Sequence, residues 1–122
     1  MRVIDRPPQD VLEDVMDRST CLVQVAAVLV SDRGRVWCWG WNHMGTGFGE
    51  HAEIHCLKRA NPTRVAVSEM WVAARRKKSG NPVLALPCAA CMPAAMRCSR
   101  IIYRKNDGMY IPLNGASFDG KA

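Results

Sequence analysis

The spacing of apolar positions divides this chain into short elements. Val11, Leu12, Val15 and Met16 recur as one face of a helix, which predicts a helix over residues 9–18 opened by Pro7-Pro8. Asp10, Glu13 and Asp14 lie near its N-terminus, where the helix dipole favours negative charge. Residues 21–31 are rich in Val and Leu and read as a buried strand, and Asp32-Arg33-Gly34-Arg35 is a turn with Gly placed for positive φ. Residues 36–42 return as the second strand of a hairpin, and a period of two puts Trp37, Trp39 and Trp41 on one face. That face either packs under a helix or, at Trp41, forms a stacking wall beside a site. Gly45, Gly47 and Gly49 make 43–50 a loop. Ile54, Cys56 and Leu57 mark a helix over 51–60. Asn61-Pro62 ends it, because proline disfavours helix in the residue before it. A strand follows around 70–75, then the charged turn 75–81, then the apolar run Val83-Leu84-Ala85-Leu86. Alanines and Met96 predict a helix over 88–98, in which Pro93 is tolerable only near the first turn. Residues 100–104 and 109–113 are strands joined at Asp107-Gly108, and Pro112 marks the second as an edge. The order α-β-β-α-β-α-β-β predicts an α/β fold, one mixed sheet with helices over its faces. The tail 114–122 is polar and is expected to be loose.

Size bounds this picture to one domain over 1–122, with 1–20 as an N-terminal helix region. The longest apolar run, 25–30, is strand length, so no membrane span is expected. Residues 1–6 lack the apolar core of a secretory signal, and the expectation is a soluble, cytoplasmic protein. The six cysteines could pair on paper, yet a chain with 48% hydrophobic residues needs no staples. Cys21, Cys38, Cys56 and Cys98 therefore read as buried small hydrophobes. A net charge of +6 tilts the chain towards an anionic partner, nucleic acid or a nucleotide. Arg75, Arg76, Lys77, Lys78, Arg104 and Lys105 are the candidate contacts, although a basic run is also what a solvated hairpin tip carries.

The chemistry concentrates in two places. Gly49-Glu50-His51-Ala52-Glu53 supplies a His and a Glu two residues apart, and Pro87-Cys88-Ala89-Ala90-Cys91 supplies two thiols three apart. His51, Cys88 and Cys91 make three ligands for a tetrahedral zinc ion and leave its fourth position open, as in catalytic rather than structural sites. Glu53 is left beside the metal, free to move protons. If both helix predictions hold, two helix N-termini converge there and favour thiolate at Cys88 and Cys91. Other readings explain less. His51 and His55 share a helix face, but the protease pattern needs a Glu directly after the first His. A redox Cys-x-x-Cys, or a structural zinc knuckle completed by Cys56 or Cys98, gives Glu53 no task.

The pair of motifs resembles the zinc-dependent cytidine deaminase superfamily, over about residues 22–110. His-x-Glu with Pro-Cys-x-x-Cys is specific only in combination. The resemblance implies a three-layer cytidine-deaminase-like fold, with a mixed five-stranded sheet flanked by helices and the last two strands as an antiparallel hairpin. It implies one Zn²⁺ per chain on His51, Cys88 and Cys91, and Glu53 as the catalytic proton shuttle in hydrolytic conversion of cytosine to uracil. Among substrate contacts it implies Asn42 at a ribose hydroxyl, the backbone of Ala52 and of the Pro87-Cys88 segment at the pyrimidine edge, and Tyr103 beside a target base; Trp41 joins them as the stacking wall.

The substrate stays open between two classes. The direct hairpin after Tyr103 resembles free cytidine deaminases and toxin-like nucleic-acid deaminases, whereas deoxycytidylate and transfer-RNA adenosine deaminases insert a helix there. Free cytidine deaminases usually carry Cys in place of His51, and this chain departs from that pattern. Cytosine in DNA or RNA is slightly favoured, with free cytidine, deoxycytidine or a cytidylate as the alternative. A zinc-stabilised nucleic-acid-binding module is the non-enzymatic reading.

Overall fold

A computed structural model describes residues 3–44 and 49–113. Helix α1 (Pro8–Met16) starts on a proline, whose missing N–H is no loss in a first turn, and buries Val11, Leu12, Val15 and Met16. β1 (Val23–Val30) and β2 (Val36–Trp41) form the predicted hairpin, and Gly34 in its turn has φ +79°. The predicted loop 43–50 carries a small separate ladder, β3 (His43–Met44) against β4 (Gly49–Glu50). Next come α2 (Ala52–Arg59), α3 (Pro62–Val65), β5 (Glu69–Arg76), β6 (Pro82–Val83), α4 (Met92–Ala95), β7 (Arg100–Arg104) and β8 (Tyr110–Pro112).

The sheet runs β2-β1-β5-β7-β8, with β6 pairing the far end of β5, so it has six strands where five were expected. The extra strand is the two-residue β6, too short to be visible as a pattern. β1 lies between β2 and β5, antiparallel to both, and its continuous apolar run reflects burial on both faces. β5 and β7 are parallel, β7 and β8 form the predicted antiparallel hairpin, and β8 with Pro112 ends the row.

Alternate residues feed two cores. Ala27, Leu29, Met70, Val72 and Ala74 face Ala52, Cys56, Val65 and Ala95 of α2, α3 and α4. Ala26, Val28, Val30 and Ala73 face α1 on the other side. The result is three layers: α1, the sheet, then α2 to α4. Arg75 and Arg104 bind α1 to the sheet from below. Arg75 reaches Glu13 at 2.8 Å, Gln24 at 2.9 Å and Asp17, and the buried Arg104 reaches Glu13 at 2.7 Å and the Ala74 carbonyl at 2.9 Å.

Three sequence expectations change. Trp37 does not share a face with Trp39 and Trp41: Leu29 pairs with Cys38 while Val30 pairs with Val36, so Trp37 is the extra residue of a β-bulge. It turns into the α2 core and its indole N–H donates to Ser68 Oγ at 2.9 Å. Trp39 and Trp41 pack on the α1 side. The helix predicted over 88–98 reduces to one turn at Cys88 and the four residues of α4, because Pro93 cannot donate the hydrogen bond that would join them. Asn61 does end α2, and its side chain also caps α3 by accepting from Thr63 N at 3.0 Å.

Candidate active site

The position of α2 follows from a glycine. A Cβ on Gly40 would lie 2.7 Å from Cys56 Cα and 2.9 Å from Ala52 O, so only glycine lets the helix backbone rest on β2. The Cys38 thiol donates to Cys56 O at 3.3 Å and pins the same contact. His51 then stands at the N-cap in extended conformation (φ −76°, ψ 151°), half a turn before the buried Glu53. On the other side, the run after β6 carries the chain over the sheet to Cys88, and the turn at 88–91 brings Cys91 back beneath it.

The two segments meet. His51 Nδ1 is 3.0 Å from Cys91 Sγ and 3.5 Å from Cys88 Sγ, and one donor atom from each of the three residues lies within 4.8 Å of the others. Cys91 is buried, and burial, the Glu53 carboxylate and the Cys88 thiol push its thiol up to about 12. The expected thiolate therefore depends on a nearby cation, because α4 is four residues long and begins after both cysteines. Two thiols and an imidazole in this spacing fit a zinc ion.

Beside this group lies a cavity of about 200 Å³. His51, Ala52, Glu53 and Cys88 form its reactive end; Val25 and Ala74 of the sheet and the run from Val83 to Leu86 form apolar walls. Burial holds the Glu53 carboxyl above the ordinary carboxylate range, against the opposing pull of its own amide N–H and of His51.

Solved structures share this architecture. The cytidine deaminase from Burkholderia pseudomallei superposes with TM-score 0.64 at 16% identity, covering 87% of this chain and 90% of that one. This is the cytidine deaminase fold. Cytidine deaminases from Mycobacterium leprae (TM-score 0.60, 13% identity, 88% of this chain and 91% of that one) and Mycobacterium tuberculosis (0.60, 14%, 93% and 94%) agree. No family model matches the chain, and no curated protein is similar to it in sequence.

Within that fold the remaining expected residues fall into two sets. Asn42 lines the cavity, but its amide is engaged: Oδ1 accepts from Val25 N at 2.8 Å and Ser19 Oγ at 2.7 Å, and Nδ2 donates to Val23 O at 2.8 Å. Among the described residues its second Nδ2–H has no partner. Trp41 lies outside the cavity lining, edge-on to His55 and beneath Arg18 and Arg59. Tyr103, between Val72 and Ile111 in the sheet, and the buried Pro87 also lie outside the lining. Arg75 and Arg104 were expected among nucleic-acid contacts; their guanidinium groups pair with the half-exposed Glu13 of α1. Arg76, Lys77 and Lys78 are exposed, and Lys105 pairs loosely with Asp107 at 3.4 Å. Among the described residues no helix is long and apolar enough to cross a membrane. Sequence reasoning missed the Val83–Leu86 wall as a site element, and Ser19 as the hydroxyl that fixes Asn42; neither carries a motif.

Proposed function

We propose that this protein is a zinc-dependent hydrolytic deaminase that converts cytosine to uracil. The observation that carries the reading is the convergence of His51, Cys88 and Cys91 with the buried Glu53 at one end of a largely apolar cavity. His51, Cys88 and Cys91 would hold the ion, which when bound would lower the pKa of a water to about 7 and so supply a nucleophile at neutral pH. Glu53 would carry one proton of the attacking water to the ring nitrogen and the second, from the hydroxyl added at C4, to the departing amine; one water is consumed and one ammonia released. Ala52 is the first residue of α2, so its N–H lacks an intrahelical partner and is free to donate to the pyrimidine edge. The apolar walls would pack against the ring.

The favoured substrate is cytosine within a polynucleotide. Arg76 pairs with Val23 at the end of β5, two residues beyond the cavity-lining Ala74 on the same face, and it opens the exposed run Arg76-Lys77-Lys78. Exposed cationic charge two residues from the cavity lining supports a passing phosphate backbone. The second reading, free cytidine or deoxycytidine, draws on the structural neighbours, which are cytidine deaminases by name. The deciding experiment offers cytidine, deoxycytidine, deoxycytidylate, single- and double-stranded DNA and RNA side by side and measures ammonia and uracil. Turnover confined to the free nucleosides sinks the polynucleotide reading, and no turnover of any cytosine sinks the deaminase.

A further inference from the structure

Outside the cavity, a second set of metal-ligating side chains comes together. One donor atom each from His43, Glu50 and His55 lies within 4.8 Å of the others. His43 and Glu50 face each other across the β3–β4 ladder, and His55 arrives from α2, one turn after His51. His43 Nε2 is 3.2 Å from Glu50 Oε1. Two ligands about 2.1 Å from a tetrahedral ion sit roughly 3.4 Å apart, so this is ligand-pair spacing.

The surroundings orient the donors. Both rings bring Nδ1 to the Trp41 carbonyl, His43 at 3.2 Å and His55 at 3.1 Å. With Nδ1–H donating there, the lone pair of each ring is on Nε2. A second nitrogen donating to a backbone carbonyl is how metal-bound histidines are commonly held. His55 Nδ1 is also 3.1 Å from Trp41 N, so metal binding selects the tautomer that donates to the carbonyl. Glu50 is divided in the same way: Lys58 Nζ holds Oε2 at 2.6 Å and leaves Oε1 towards His43. The His43 and Glu50 side chains are 35% and 22% exposed, reachable by an ion yet partly desolvated.

We infer that His43, Glu50 and His55 bind a divalent first-row transition-metal ion, separate from the cavity, that fastens the β3–β4 hairpin to α2. Two imidazoles and one carboxylate suit zinc and its neighbours rather than magnesium or calcium. An ion pair alone would explain His43 with Glu50, but it gives no reason for a second imidazole within ligand distance. The site does not rest on the deaminase reading.

The test strips the full chain with a chelator and then titrates it with Zn²⁺ and, separately, with Co²⁺. The wild-type chain binds two equivalents, of which one gives a thiolate-to-cobalt charge-transfer band and the other does not. His43→Asn and Glu50→Gln, both on the partly exposed hairpin, each bind one equivalent and keep the band. One equivalent without the band in the wild type also supports this site and removes the cavity site instead. A wild-type chain that binds a single equivalent with the band, or no ion, overturns the inference. So does a His43→Asn chain that still binds two.

Discussion

Glu53 is a buried acid at the end of the cavity. Burial disfavours its charged form. Glu53→Gln keeps the shape and removes the proton carrier, so turnover should fall roughly 10²- to 10⁴-fold. Zinc content should be unchanged and the thermal midpoint should not drop; a variant with wild-type rates removes Glu53 from the mechanism. Cys88→Ala should bind no zinc at the cavity and melt earlier, read by metal analysis and calorimetry. Asn42 makes a different case. Asn42→Ala leaves Val25 N–H and Val23 C=O without their side-chain partner, and denaturant titration should show a loss of about 2 kcal/mol. The triad and Glu53 were legible because those residue types at those spacings suit little else. The clamp on Asn42 was not, because Ser19, Val23 and Val25 reach it only once the hairpin has formed.

At the scale of elements, β2 and α2 act as one unit through Gly40. Gly40→Ala must push a helix backbone away from a strand, at a cost of roughly 1–3 kcal/mol. Because Ala52 is one of the atoms' owners and His51 and Glu53 flank it, the same change should lower kcat even in the folded fraction, measured against active-site zinc. The major strands and α1 were readable from periodicity. α3, β6 and the shortening of α4 were not: four- and two-residue elements show no period, and Pro93 acts through one missing hydrogen bond. The tryptophan count failed for a related reason, since one extra residue in a strand reverses every face before it.

Across the whole molecule, net charge misleads until each cation is assigned a place. Arg75 and Arg104 belong to the frame, where they join α1 to the sheet; Arg76, Lys77 and Lys78 face solvent. Arg104→Met should therefore destabilise the chain, since the buried guanidinium joins Glu13 to the Ala74 carbonyl, without changing the salt dependence of single-stranded DNA binding. Replacing Arg76, Lys77 and Lys78 together with Ser should do the reverse: an unchanged melting midpoint and a salt slope shallower by about two. Fluorescence anisotropy over a salt series separates the two. The fold class and the candidate site follow from short local signals, whereas the division of +6 between frame and surface is a property of the assembled sheet.

The bulge at Trp37 gives β2 one residue of slack. Every other pair between β1 and β2 follows a constant register, so removing Trp37 itself lets the ladder close with Cys38 still opposite Leu29 and Gly40 still beneath α2. β1 has no such reserve, because it is in continuous register with β5 on its other edge. Length change in this hairpin is thus one-sided: a deletion scan should recover folded chains at Trp37 and none from the middle of β1.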